Sequence, residues 1–437
     1  MSNRDVGSII HHRQQRRAVI SATVGNALEW FDIIVFGFFA ITISKLFFPT
    51  GDELTSLLMT AATFGVSFVA RPLGAIVLGV YADRAGRKAA LSLTMFLMTL
   101  GTVAIGLMPT YATIGFWAPV LVVLARLIQG FSAGGEFGSS TTFLLEHTQP
   151  HQRGFFASWQ VASQGLTALL AALFGLGVAL LPAEDQLAWG WRIPFLFGAL
   201  IGPVGLYIRN NVEESPEYVE QEGHEHTAPA PQASLLRRLI DLLPATGLIV
   251  LCTIGSYMLL LYMPTYAIRQ LHLPPQLSFY SVMAAGIVQL CLAPYFGHLS
   301  DRIGATRVMM PAALFILVAI YPAFAYIVQA PGVGRMILVQ LVMGVALTAY
   351  FAPVPALMGR LFATRSRATG LSISYSLAVT VFGGFAPFIA TWLIGVTGDS
   401  LSPAWYISFG AALSIIALVS CRAHGAPSHP RSVLQGA

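Results

Sequence analysis

The chain has 437 residues, of which 56% are hydrophobic and only 10% charged, with a mean hydropathy of +0.71. Soluble domains carry about a quarter charged residues, so this composition excludes a set of soluble domains and indicates repeated membrane spans. The net charge of +5 does not indicate nucleic acid, because the basic residues sort to one side of the expected spans.

In chain order, residues 1–17 are basic and lack an apolar core, so they are expected to form a retained tail and not a cleaved leader. From there to Cys421, about twelve stretches are long enough to cross the hydrocarbon layer. They centre near residues 30, 67, 99, 127, 167, 200, 255, 287, 318, 347, 381 and 411. The expected organisation is an all-α membrane protein with a tail at 1–17, a six-helix half at 18–209 and a polar linker at 210–241. A second six-helix half at 242–421 and a tail at 422–437 complete it. With the N-terminus inside, the inner loops collect Arg13, Arg16, Arg17, Arg87, Lys88, Arg237, Arg238 and others. The outer side keeps Lys45, Arg192, Arg269 and Arg335, which puts both termini in the cytoplasm.

Five ionisable residues fall where the first half should be dissolved in lipid: Glu29, Asp32, Arg71, Arg126 and Glu136. A charge at that depth costs several kcal/mol unless it is paired or faces a wet cavity, so each marks a functional site by default. Glu29 and Asp32, three residues apart, share a helix face, where two acids cannot both ionise cheaply. That is the property a proton-coupling carboxylate needs, and Asp32 or Glu136 is the expected titrating site.

Arg71 precedes Asp83 by twelve residues, which places it about 18 Å from the inner end of its helix, too deep to reach the surface. It either satisfies an acid on a neighbouring helix or offers its planar fork to a substrate carboxylate. Arg126 shares a face with Gln129. It is expected either to pair with Asp32 or Glu29, or to serve as a second clamp. The fifth span carries Gln160 and Gln164 on one face; Tyr257, Gln289 and Tyr375 are the neutral candidates for the second-half wall of a binding cavity.

The halves echo each other. A loop with Gly79, Asp83, Arg84, Gly86, Arg87 and Lys88 follows the second span, and Gly297, Asp301, Arg302, Gly304 and Arg307 follow the eighth. Within this repeat the counterpart of Arg71 is the neutral Gln289. Internal repeats of this kind build transporters with a binding site near the midplane. Glycines here permit close approach, and the aspartate can cap a neighbouring helix N-terminus or pair with an arginine, so the loops read as gating latches. A weaker echo joins Arg153-Gly154 to Arg367 and Gly370. Cys252, Cys291 and Cys421 read as packing residues, and His224 and His226 in the acidic linker as solvated side chains with no metal.

These paired loops, the twelve spans and the long central segment resemble the major facilitator superfamily, as does the fourth-span run Arg126-Leu127-Ile128-Gln129-Gly130. Gly25-Asn26-Ala27-Leu28-Glu29-Trp30-Phe31-Asp32, Arg71-Pro72-Leu73-Gly74, Trp189-Gly190-Trp191-Arg192-Ile193-Pro194-Phe195 and Phe382-Gly383-Gly384-Phe385-Ala386-Pro387 resemble its metabolite:H+ symporter family. Met263-Pro264-Thr265-Tyr266 and Thr397-Gly398-Asp399-Ser400-Leu401-Ser402-Pro403-Ala404-Trp405 are similar to the citrate and tricarballylate branch. The second loop departs from the family by reading Ala305-Thr306-Arg307 where a doubled basic pair is usual.

The resemblance implies import of citrate, tricarballylate, 2-oxoglutarate, shikimate or zwitterionic osmolytes with protons. It also implies a monomer in a bacterial inner membrane, with no cofactor and no enzymatic activity. Energetics favours the coupling: a trivalent anion moving inward against 100 mV costs about 7 kcal/mol, which co-transported protons remove. An efflux antiporter is the alternative of another kind, but the fifth span lacks a convincing glycine/proline motif for it.

Overall fold

A backbone dissolved in hydrocarbon must satisfy its own amides, and an apolar chain of this kind does so by forming helices. The computed structural model describes residues 23, 26–27, 29–85, 87–146, 148–210, 235–362 and 367–423; among them helices dominate and no strand occurs. The linker segment 211–234, both tails and Gly86 lie outside the described residues, as do the side chains of Asp83, Arg84, Arg87 and Glu136.

Among the described residues twelve helices, some of them broken, follow one another. α1 is broken into Glu29–Phe38 and Ala40–Phe47, bent by 67°. Then come α2 (Glu53–Ala85), α3 (Arg87–Leu107) and α4 (Trp117–Ser132, continued by Glu136–Glu146). α5 (Arg153–Ala179) and α6 (Arg192–Asn210) complete the first six. α7 runs through Leu235–Ser256, a π-helical stretch at Tyr257–Tyr262, and Met263–Arg269. α8 (Pro275–Ile303), α9 (Ala305–Gln329) and α10 (Val333–Phe351, then Val354–Leu361) come next. α11 joins Arg367–Ala378 to Ala386–Thr397 through a second π-helical stretch at Val379–Gly383, and α12 is Ser402–Ala423.

Eight of these are long and apolar enough to cross a membrane alone, and α1 makes nine when its two segments count as one; α3 and α4 add shorter apolar helices. Burial separates interior from periphery. The apolar window of α7 is 94% buried and that of α9 only 39%, so α7 runs through the core and α9 faces lipid with Leu314, Phe315 and Val318.

Small residues set the closest helix contacts, as expected where lipid supplies no hydrophobic drive between helices. α5 and α8 run antiparallel in backbone contact. A methyl group added at Gly165 would stand 2.6 Å from the Gly286 carbonyl, and one at Gly297 would stand 2.5 Å from that of Gly154. The run Gly130 to Gly134 does the same for α4 against α2: a Cβ at Gly134 would lie 2.1 Å from the Arg71 carbonyl.

Both ends of the molecule are tied. At one end the Asp301 carboxylate, at the end of α8, accepts hydrogen bonds from the Gly154 and Phe155 amides at 2.8 and 2.9 Å, capping the first turn of α5. Arg153 Nε donates to the Leu145 carbonyl and Arg367 Nε to that of Gly359, the same local bond at matching places of the weak sequence echo. At the other end Arg269 pairs with Glu53, and Gln276 donates to the Ala179 carbonyl. Arg192, from the tryptophan-rich run before α6, donates to the Gly106 and Met108 carbonyls and so closes the end of α3.

Candidate functional site

α1 is the hub. Its first segment directs Glu29 toward α2 and Asp32 toward α3 and α4, so the two acids that share a helix face receive separate arginines. Arg71 Nη2 lies 2.6 Å from Glu29 Oε1, and Arg126 Nη1 lies 2.9 Å from Asp32 Oδ2. Glu29, Asp32, Arg71 and Arg126 are all at most 5% exposed. Buried charges of this kind are tolerated when paired and further hydrogen-bonded, and each pair is neutral as drawn.

The two pairs are built differently. Asp32 Oδ1 accepts from the Thr102 hydroxyl at 2.8 Å and from Gln129 Nε2 at 2.9 Å, while Arg126 Nη1 also donates to Gln129 Oε1. Three helices thus converge on one carboxylate. The Arg126 guanidinium lies against two aromatic rings, 4.4 Å from the Phe36 ring centre and 5.3 Å from that of Phe64. Every one of these partners belongs to the first six helices.

The Arg71–Glu29 pair sits instead where the first six helices meet the last six. The Arg71 guanidinium lies over the Phe68 ring at 4.5 Å, and Tyr257 of α7 and Tyr375 of α11 are within electrostatic reach of both charges. Tyr257 stacks on Trp30 at 5.6 Å and meets the edges of Phe64 and Phe68. Tyr375 stacks on Phe137 of α4 at 3.8 Å. The Tyr257 hydroxyl and Arg71 Nε have no hydrogen-bond partner among the described residues.

The neutral candidates divide in the same way. Both ends of the Gln160 amide are occupied, donating to Ser140 and accepting from Thr141, so it braces α5 against α4 in this conformation. Asn26 adds to that brace by donating to the Gln160 carbonyl and the Ser163 hydroxyl. Gln164 Oε1 and Gln289 Oε1, brought together by the Gly165–Gly286 contact of α5 with α8, are buried and unpartnered among the described residues, as are the hydroxyls of Thr253, Ser256 and Ser374. A buried polar atom left without a hydrogen bond costs about 1–3 kcal/mol, so each of these calls for water or another polar partner.

On the Arg269 side of the arginines lies a small cavity of about 20 Å³, lined by residues including Phe36, Phe64, Leu261, Tyr262, Pro387 and Thr391. It has room for about one water molecule. The π-helical stretches of α7 and α11 flank this level of the molecule, and such irregularities concentrate at functional sites.

Thr102 was not singled out by the sequence, because it is one hydroxyl among several in an apolar helix. Trp30, Phe68 and Phe137 were equally silent, since aromatics in spans are usually packing. The two stretches similar to the citrate branch meet each other away from the arginines, where the Tyr266 hydroxyl donates to the Ser400 carbonyl at 2.7 Å. Among the described residues no group of three metal-ligating side chains occurs. His224 and His226 lie outside the described residues.

Comparison with known proteins agrees with this architecture. Residues 18–238 match the family model described as sugar (and other) transporter. The chain is 39% identical over 402 residues to the citrate-proton symporter of Klebsiella pneumoniae, covering 92% of this chain and 90% of that protein. It is 37% identical to the citrate-proton symporter of Salmonella typhi, covering 92% of each. It is also 33% identical to the proline/betaine transporter of Salmonella typhimurium, covering 95% of this chain and 85% of that protein.

Among solved structures, the proton:xylose symporter bound to 6-bromo-6-deoxy-D-glucose superposes with a TM-score of 0.75 at 17% identity, covering 94% of this chain and 95% of that one. At that identity the likeness shows the fold alone. The matching family model and relatives above 30% identity along nearly the whole chain place this multi-pass membrane protein in the major facilitator superfamily of transporters, within its metabolite:H+ symporter family.

Proposed function

We propose that the chain is a proton-coupled importer of small di- and tricarboxylates such as citrate or tricarballylate, working by alternating access. The observation that carries this reading is the pair of buried arginines, Arg71 and Arg126, each held beside a carboxylate at the centre of the bundle. Likeness to citrate-proton symporters supports the same substrate class.

In this reading Arg71 binds a substrate carboxylate, with Arg126, Gln160, Gln164, Tyr257, Gln289 and Tyr375 completing the site. Glu29, Asp32 and Glu136 are the candidate proton carriers. The two loops with Asp83 and Asp301 act as latches. Gly79, Arg84, Gly86 and Arg87 belong to the first and Arg302 to the second. The halves are residues 18–209 and 242–421, joined by a cytoplasmic linker at 210–241, with cytoplasmic tails at 1–17 and 422–437. The protein works as a monomer in a bacterial inner membrane, and the Asp301 end is the cytoplasmic one.

A second reading is favoured by the 33% identity to a proline/betaine transporter: symport of a zwitterionic osmolyte. One experiment separates them. Purified protein in liposomes is assayed for uptake of radiolabelled citrate under an inward proton gradient, with unlabelled competitors. Uptake that is blocked by citrate and tricarballylate but not by proline or betaine supports the carboxylate reading. Proline or betaine uptake indifferent to citrate replaces it with the second.

A further inference from the structure

The two arginine–carboxylate pairs are unequal, and the inequality assigns them different work. The Asp32–Arg126 pair is locked: Thr102 and Gln129 add two further donors to the carboxylate, and the Phe36 and Phe64 rings pack against the cation. The Arg71–Glu29 pair has one face on Phe68 and lies against the tyrosines of α7 and α11, with Arg71 Nε unpartnered among the described residues. A ligand entering between the two sets of six helices therefore meets Arg71 first. Capturing Arg126 would require dismantling the Asp32 cluster.

We infer that Glu29 is a built-in stand-in for a substrate carboxylate: it occupies Arg71 in the empty carrier, and the substrate takes its place only when Glu29 accepts a proton. This rests on the carboxylate reading above. The argument is charge balance. With Glu29 ionised, the buried pair is neutral. A substrate carboxylate arriving at Arg71 makes two anions share one guanidinium where water is scarce, which is strongly unfavourable.

One proton on Glu29 restores neutrality. The acid swings off Arg71, and the substrate carboxylate takes the planar fork through Nη2 and the unpartnered Nε–H. The Tyr257 hydroxyl, buried and without a partner among the described residues, donates to the same carboxylate. Among the described residues, the charged and titratable groups near Glu29 include Arg71 of α2, Tyr257 of α7 and Tyr375 of α11, with Arg126 of α4 close to Arg71. Each substrate bound at Arg71 thus carries one proton with it, and the empty carrier, with Arg71 neutralised by Glu29, does not leak protons alone.

The test uses the purified full chain and tricarballylate, whose carboxylic acids are largely ionised above about pH 7. Affinity is measured by calorimetry between about pH 6 and pH 9. For the wild type, affinity should fall toward tenfold per pH unit once Glu29 is ionised. Glu29→Gln should bind at least as tightly as the wild type at its acidic limit and lose that slope.

An unchanged slope in Glu29→Gln overturns the inference, and so does weaker binding at every pH, which marks Glu29 as only a prop for Arg71. Should the variant not fold, the wild type alone decides. Mixing it with tricarballylate in weak buffer at about pH 8 should alkalinise the solution by about one proton per bound ligand, and binding without proton uptake overturns the proposal. A wild type that binds proline or betaine but no carboxylate overturns the substrate reading as well, and is told apart by that result.

Discussion

The contact between Asp301 and the start of α5 makes the sharpest mechanical prediction. Its carboxylate accepts two amide hydrogen bonds, from Gly154 and Phe155, across the α5–α8 crossing. Those bonds exist only while the Asp301 ends of the two helices are together, so they stabilise states closed at that end. Hydrogen bonds to a charged acceptor contribute about 1.5–3 kcal/mol each in a protected setting. Asp301 is only partly buried and the amides of a first turn can rehydrate, so the loss in Asp301→Ala is closer to that of an N-cap, about 1–2 kcal/mol.

That corresponds to a shift of about 5- to 30-fold in the ratio of open to closed. Asp301→Asn keeps one acceptor oxygen and should shift it by less. The assay is the distance distribution between spin labels at the exposed positions Gln152 and Ile303, which flank the contact. The long-distance population should grow by that factor. A distribution unchanged in Asp301→Ala, or one that shortens, would refute the latch. Gly154→Ala should open the same end by a separate route, since the added methyl would stand 2.5 Å from the Gly297 carbonyl.

Other consequences follow from the charge pairs. Asp32→Asn leaves Arg126 buried beside a neutral amide, and thermal denaturation in detergent should show a loss of about 3–5 kcal/mol, partly recovered in Asp32→Asn/Arg126→Gln; equal, additive losses would deny the coupling. Arg71→Lys keeps the charge but loses the planar fork, so citrate uptake should fall at least tenfold, whereas wild-type kinetics would make Arg71 a structural cation only. Competition should rank tricarboxylates and dicarboxylates above acetate, lactate, proline and betaine, and an equal monocarboxylate would contradict recognition by more than one donor group. Arg269→Ala breaks a pair whose Glu53 partner is 68% exposed, so it should shift the opposite-end equilibrium by less than about 1 kcal/mol, and less still in high salt; a larger effect would make that pair a principal gate.

The helical passes were legible because hydrocarbon forces an apolar, amide-satisfied backbone, and their order follows from the chain. The capping role of Asp301 was one of two uses legible in its loop, the other being a pair with an arginine, and the amides of Gly154 and Phe155 decide for the first. What sequence left undecided was pairing. Arg126 had Asp32 or Glu29 as possible partners, and Arg71 had a substrate or a neighbouring acid. The choice depends on how α1 is rotated against α2 and α4, which no local pattern encodes.

Other features take a form in the structure that no local pattern announces. The break in α1 between Phe38 and Ala40 follows Gly37, but a lone glycine in an apolar helix does not announce a bend. The Gln160 amide, read as a cavity donor, spends both ends on α4. The stretches ending at Tyr266 and beginning at Thr397 owe their character at least partly to packing on one another, through the Tyr266–Ser400 bond.

The central claim is that buried arginines and their acids couple an anionic carboxylate to protons. The most direct measurement loads liposomes bearing the protein with unlabelled buffer, clamps the membrane potential at zero, and imposes an inward proton gradient in the presence of labelled citrate. Transient accumulation of citrate above its external concentration is expected, abolished by a protonophore and lost in Glu29→Gln even though citrate–citrate exchange persists. Citrate that equilibrates without accumulating, or accumulates equally with no proton gradient, would contradict it.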